Sequence, residues 1–330
     1  MKKLIAGLAL ILIGSTALLY LSPAAQLASL QLIERQRAGL SLKQISVNNL
    51  NIHYYEGGPR NAQTILMVHG FAANKDNWLR FARHFSQDYR VIALDLPGFG
   101  TSEKPAGSYD VGTQAEHMAS VIDALGIEQL HLIGNSMGGH INALYAARYP
   151  HRTRSLALLN NAGITSPQPS ELMQLLQRGE PNPLVVKSPE DFQRLLQFIF
   201  VQPPYLPESL KGYFAEQAIA NSAHYDQVFA HLIDRYIPLE PVLPKIQAPT
   251  LIIWGAEDRV LDVSSIDVMR PLLRDPRVVT LADTGHAPMI ERPQLTAQHY
   301  RDFLQSLHNS RSESGRGNNQ EHVGIKKPAQ

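Results

Sequence analysis

Short apolar runs alternating with helical patterns constrain this chain's fold more than any other feature. The clearest runs are residues 64–68 (TILMV), 90–94 (RVIAL), 129–133 (QLHLI), 155–159 (SLALL), 250–254 (TLIIW) and 277–281 (RVVTL). Strand-sized runs separated by helix-sized patterns build a mostly parallel sheet covered by helices, because each parallel step needs a crossover that returns the chain to the same end of the sheet. The alternation breaks between the fourth and fifth runs. Residues 164–241 carry Pro-rich punctuation (SPQPS, EPNP, QPPYLP) around amphipathic stretches, and a segment of that length is too long for a plain connection. It is expected to form a helical cap or lid inserted over the sheet edge where ligand-binding loops gather. Residues 45–163 and 242–308 then remain as the α/β core.

The ends fall outside that core. Lys2 and Lys3 precede an uncharged stretch, residues 4–21 (LIAGLALILIGSTALLYL). It is longer than the ~7–15-residue apolar region of an export signal and close to the minimum for a membrane span. Residues 1–22 are therefore read as a retained N-terminal membrane anchor in preference to a cleaved signal, since Ser22-Pro23-Ala24 is a mediocre cleavage site. The two lysines would stay in the cytoplasm and the catalytic part would face the periplasm or the outside; cleavage would release it to the periplasm instead. Residues 309–330 (NSRSESGRGNNQEHVGIKKPAQ) hold too few apolar groups to offset the entropy of ordering, which predicts a disordered tail. With 30 Lys+Arg against 29 Asp+Glu the net charge is +1, so no global field gathers nucleic acid. The absence of Cys excludes disulfides, thiolate metal sites, a cysteine nucleophile and a lipoprotein anchor. The 13 His show no HExxH or paired spacing that would predict a metal site.

Chemistry concentrates at Gly134-Asn135-Ser136-Met137-Gly138-Gly139, directly after the strand QLHLI and directly before the helical pattern HINALYAARYP. A nucleophile between a strand and a helix sits on a sharp, strained turn, where only small neighbours at positions −2 and +2 avoid a clash. Gly134 and Gly138 meet that need, and the following helix aims its amides at the same spot. A hydroxyl also needs a base, and the base needs a group to hold it. Asp258, just past TLIIW in GAEDRV, is the candidate acid, with Glu257 its nearest rival and Asp262 a weaker one. His286 in DTGHAP, after the last strand, is the candidate base. Charge developing on a substrate carbonyl calls for two amide donors. Met137, after the nucleophile, supplies one, and Phe71 in the His69-Gly70-Phe71 loop after TILMV supplies the other. His69 itself reads as a residue that fixes the loop, and DLPGFG (residues 95–100) as a tight turn, because it lacks the Lys-Ser/Thr of a phosphate loop.

Together the segments HGF, DLPGFGTSEKP, GNSMGG, WGAEDRV and DTGHAPMIERP, across roughly residues 45–308, resemble the α/β-hydrolase superfamily. Within it, NPLVVKSPEDFQRLLQFIFVQPPYLPESL resembles the bacterial Moraxella- and Psychrobacter-type lipases and the membrane-anchored, ABHD6-like monoacylglycerol lipases. The resemblance implies an α/β-hydrolase fold with an inserted helical cap, a lipid-ester substrate cleaved through an acyl-enzyme, no cofactor and no metal. It also matches nucleophile, acid and base to Ser136, Asp258 and His286, and the oxyanion donors to Phe71 and Met137.

Leu195, Phe198, Ile199, Phe200, Tyr205 and Phe214 offer apolar surface to an acyl chain, with Phe198, Ile199, Phe200 and Tyr205 as candidate substrate-binding residues. Two alternatives compete with a lipase or carboxylesterase. GNSMGG also occurs in carbon–carbon bond hydrolases of aromatic ring-fission products, but those carry Trp after the catalytic His, where this chain has Ala287 followed by Pro288. A low-turnover ligand receptor could keep the fold, yet all three catalytic groups are present.

Overall fold

The computed structural model describes residues 22–317. The uncharged stretch at residues 4–21 and the tail beyond residue 317 lie outside the described residues.

Each apolar run becomes a strand. The six are β3 (Thr64–Val68), β4 (Arg90–Leu94), β5 (Leu130–Asn135), β6 (Thr153–Leu159), β7 (Thr250–Gly255) and β8 (Arg277–Leu281), preceded by a hairpin of β1 (Leu40–Val47) and β2 (Leu50–Gly57). They form one eight-stranded sheet in the order β1-β2-β4-β3-β5-β6-β7-β8. β1 and β2, and β2 and β4, pair antiparallel, and the other neighbours pair parallel.

The sheet thus starts at Leu40 and not at residue 45. Its first strand, LSLKQISV, lies at the edge and is mostly solvated, so it lacks the solid apolar run of a central strand. The hairpin turn is made by Asn48 and Asn49, both at positive φ (51° and 62°), the backbone that a two-residue hairpin loop requires. Ahead of it runs α1 (Pro23–Arg37), which starts with Pro23 and is capped by Ser22 Oγ accepting from Ala25 N at 3.3 Å. None of its residues is fully buried, so it carries little of the apolar periodicity that would mark a helix in sequence.

α2 (Leu79–Ala82), α3 (Val111–Ala124) and α4 (Met137–Arg148) follow β3, β4 and β5. Between β6 and β7 come four inserted helices, α5 (Glu171–Gln177), α6 (Pro189–Ile199), α7 (Glu208–Ala220) and α8 (Ser222–Asp234). α9 (Ser265–Met269) follows β7, and α10 (Pro288–Glu291) and α11 (Pro293–Gly317) follow β8.

α11 runs past Asn309, where the sequence predicts the start of a disordered tail. Helix extension costs little once a helix is nucleated, and no Pro interrupts the chain between Pro293 and Pro328.

Strand side chains alternate between two cores. Leu66, Val68, Ile92, Leu94, Leu132, Leu158 and Trp254 pack with α3 and α4 on one face. Ile65, Met67, Val91, Ala93, Ile133, Leu159 and Ile253 pack on the other with Phe81 of α2 and Tyr300 and Phe303 of α11. Covering both faces leaves the carboxyl ends of the parallel strands as the place where loops converge. Among the described residues, no helix is long and apolar enough to cross a membrane.

Candidate active site

β5 ends at Asn135 and α4 begins at Met137, so Ser136 alone makes the turn between them. Its backbone is held at φ 56°, ψ −121°, a conformation that costs a non-glycine residue about 1–3 kcal/mol. The two flanking glycines are sterically required. A Cβ on Gly134 would lie 2.5 Å from Gly138 O, and one on Gly138 would lie 2.3 Å from Val68 O. Ser136 N donates to Leu159 O at 3.0 Å, and Ser136 O accepts from Ala162 N at 3.1 Å, which ties the turn to the end of β6.

His286 and Asp258 meet at the neighbouring strand ends. His286 Nδ1–H donates to Asp258 Oδ2 at 2.8 Å, leaving Nε2 as the ring nitrogen able to take a proton. The same Oδ2 accepts from Asn160 Nδ2 at 2.7 Å, and Oδ1 accepts from Val260 N at 2.8 Å and Leu261 N at 3.1 Å. Asp258 and His286 are both buried. The rival carboxylates are employed elsewhere: Glu257 accepts from Thr284 N at 3.0 Å and Asp262 from Ser264 N at 2.9 Å.

The loop after β3 approaches Ser136 from the other side. A Cβ on Gly70 would lie 3.0 Å from Ser136 Cβ, so glycine admits the backbone at this distance. His69 is fully buried, donates through Nδ1 to Gly70 O at 2.8 Å and accepts at Nε2 from Leu96 N at 3.1 Å. Burial lowers its pKa, which keeps the ring neutral and able to accept. A buried ion pair, Lys75 Nζ to Asp95 Oδ2 at 2.6 Å, fixes the far end of this loop, and Asp95 also accepts from Lys75 N at 2.7 Å and Thr101 N at 2.9 Å. Phe71 stands edge-on to Tyr225 and Phe229 of α8, at 5.7 and 5.6 Å between ring centres. Met137 is the first residue of α4, where the amide has no intrahelical acceptor.

Ser136, His286, Gly70 and Phe71 line one cavity of about 100 Å³, together with the apolar Leu184, Ile199, Phe200 and Ile290. Of the four apolar residues read as substrate-binding, Ile199 and Phe200 are there and two are not. Phe198 lines a second cavity of about 320 Å³, under the Arg259 guanidinium at 4.9 Å. Successive helical residues point about 100° apart, and here that step turns Phe198 toward one cavity and Ile199 toward the other. Tyr205 is 87% exposed on the Pro-rich loop and lines neither cavity. Leu195 and Phe214 pack with Phe192 between α6 and α7.

Sequence reasoning passed over two asparagines that hold the site. Asn160, buried at positive φ (43°), reaches both Asp258 and Gly255 N, and Asn135 Nδ2 donates to His286 O at 2.9 Å. Their signal was a polar amide at the carboxyl end of a buried strand, a place where a side chain needs partners.

A family model described as the alpha/beta hydrolase fold matches residues 63–293. Lipase 1 of Psychrobacter immobilis is 34% identical over 281 residues, covering 83% of this chain and 87% of that protein. Monoacylglycerol lipase ABHD6 of Mus musculus is 30% identical over 289 residues, covering 84% and 86%. A crystal structure of a membrane phospholipase A, described as a bacterial virulence factor, is 58% identical, with a TM-score of 0.87 over 94% of this chain and 100% of that one. The strand-to-helix turn at Ser136, the Asp258–His286 pair and these matches have one reading: the chain belongs to the α/β-hydrolase family.

Proposed function

We propose that this chain is a lipid-ester hydrolase that cleaves the acyl esters of membrane glycerophospholipids through an acyl-enzyme on Ser136. The observation that carries the chemistry is the strained Ser136 turn opening into the same cavity as a histidine already oriented by a buried carboxylate. His286 Nε2 takes the Ser136 proton as Oγ attacks the ester carbonyl carbon. The oxyanion meets the amides of Phe71 and Met137, and Asp258 stabilises the imidazolium. His286 then gives the proton to the departing alcohol. Water, activated by the same imidazole, cleaves the acyl-enzyme and releases the fatty acid.

Support for the lipid comes from the lipase relatives and from the near full-length similarity to a membrane phospholipase A. Residues 4–21 would keep the chain on the membrane with its catalytic part facing the periplasm. Cleavage ahead of Ala25 would remove Ser22, which caps α1, and the first two residues of that helix.

The test compares wild type with Ser136→Ala on phospholipid vesicles, triacylglycerol emulsion and p-nitrophenyl butyrate. Wild type should release fatty acid from the vesicles, and the variant should lose about 10³-fold or more on all substrates. Variant activity within tenfold of wild type would remove the serine assignment. Butyrate turnover without phospholipid cleavage would keep the serine chemistry and remove the phospholipid.

A further inference from the structure

The loop bearing His286 hangs from the inserted segment as well as from the sheet. Two consecutive amides of this loop are tied to that segment, one directly and one through Glu291. His286 N donates to Ile199 O, at the last residue of α6, over 2.7 Å. Gly285 N donates to Glu291 Oε2 at 2.8 Å, and the other oxygen of Glu291, Oε1, accepts from Gln202 N at 2.6 Å, three residues beyond the end of α6. The approach is close enough to demand glycine: a Cβ on Gly285 would lie 2.2 Å from Ile199 O. The carbonyl side of the loop is held by the core instead, through Asn135 Nδ2 to His286 O. The Glu291 carboxylate, which only accepts, therefore bridges two backbone donors, one beside the candidate base and one on the segment that walls the cavity.

We infer that Glu291 is a positioning residue that couples the seating of α6 to the placement of the His286 imidazole, so that the base is in register with Ser136 only while α6 is seated. The inference rests on His286 being the general base. Ile199 and Phe200 wall a cavity of about 100 Å³, smaller than the ~300–1,000 Å³ of small-molecule sites, and in this scheme a lipid chain displaces the segment as it enters. The displacement that admits substrate also loosens the base, and chemistry waits for α6 to reseat over the bound ester.

Glu291→Gln keeps the shape but sets an amide NH2 against one of the two N–H donors. Gln202→Pro removes the amide at the other end of the bridge and leaves Glu291 untouched. With p-nitrophenyl butyrate, E291Q should lose about 10- to 100-fold in kcat while KM stays within about threefold, in protein whose melting curve shows it folded at the assay temperature. Q202P should lose kcat in the same direction. The double variant should be no worse than the poorer single one, because both cut the same bridge. A kcat for E291Q within twofold of wild type, or losses that multiply in the double variant, overturns the coupling. If E291Q does not fold, Q202P decides alone: a fall in kcat supports the bridge and an unchanged kcat overturns it. His286→Ala, run alongside, separates the two readings. An active H286A overturns the base assignment itself, whereas an inactive H286A beside a fully active E291Q overturns only the bridge.

Discussion

Glu257 and Asp258 are adjacent carboxylates with different work, and the difference is set by what each faces. Asp258 orients the imidazole and receives three further N–H donors, whereas Glu257 braces the amide of Thr284. Asp258→Asn removes the orienting anion and should cost about 10⁴-fold in kcat/KM, as in other serine triads. Glu257→Gln keeps an acceptor for Thr284 N and should stay within about fivefold, the equivalent of losing ~1 kcal/mol. The reverse ranking would make Glu257 the acid. The proposed order serine, acid, histidine could be read from the sequence because each candidate lies just past a strand that the sequence marks plainly. Asn160 and Glu291 were not, because what they do depends on partners far away in the chain, Asp258 for one and Gln202 for the other. His140 shows what burial does to a histidine outside the site. Its Nε2–H donates to Ile237 O at 2.8 Å, and burial pushes its pKa down to about 4. The unfolded chain takes up a proton near pH 6.5 that the folded chain refuses until about pH 4, so stability is complete above 6.5 and is lost as pH falls between those values. The loss amounts to about 3 kcal/mol. His140→Gln should flatten the fall in Tm between pH 7 and 4, and melting curves that track wild type in parallel would discard this role.

The inserted helices are the element where sequence and structure part most usefully. Their existence was legible from Pro-rich punctuation around amphipathic stretches, and the core strands from solid apolar runs. The hairpin β1–β2 was not, because an edge strand solvated along much of its length carries no such run. Nor did the sequence reveal which face of α6 lines the Ser136 cavity: of three apolar residues in a row, Phe198, Ile199 and Phe200, the first lines the other cavity. Two short segments divide the space. Pro183, Val185 and Phe198 line the larger cavity, and Leu184, Ile199 and Phe200 the one that holds Ser136 and His286. If a long acyl chain crosses this partition, Leu184→Ala should ease its passage and give it more buried length. Each methylene newly buried is worth about 0.8 kcal/mol, or roughly fourfold in kcat/KM. The ratio of activity on C12–C16 to C4 p-nitrophenyl esters should therefore rise severalfold. An unchanged ratio would mean that the chain leaves the catalytic cavity by another route.

At the scale of the whole molecule, every site residue is carried by the sheet's carboxyl end or by the segments above it, and all lie beyond residue 68 in the chain. Among the described residues, α1 joins the rest of the molecule by Gln31 Nε2 to Asp76 Oδ2 at 2.6 Å and by Ser209 Oγ to Gln26 Oε1 at 2.7 Å, and the hairpin joins it by the pairing of β2 with β4. Residues 4–21 should therefore decide where the enzyme works and not whether it works. If they form a retained span, the full-length chain should sediment with membranes, resist extraction by high salt and come off in detergent, because an apolar span is held by the hydrophobic effect and not by charge. A chain starting at Ser22 keeps the α1 cap and both of these contacts, so it should be soluble and hydrolyse p-nitrophenyl butyrate with kcat/KM within about threefold of the full-length enzyme. A start at Leu30 would cut α1 in half and discard Gln26, with a lower Tm as the expected cost. N-terminal sequencing of the protein from its host decides the matter: a mature chain starting near Ala25 and free in the periplasm would identify residues 4–21 as a cleaved signal, and α1 would then begin without its serine cap.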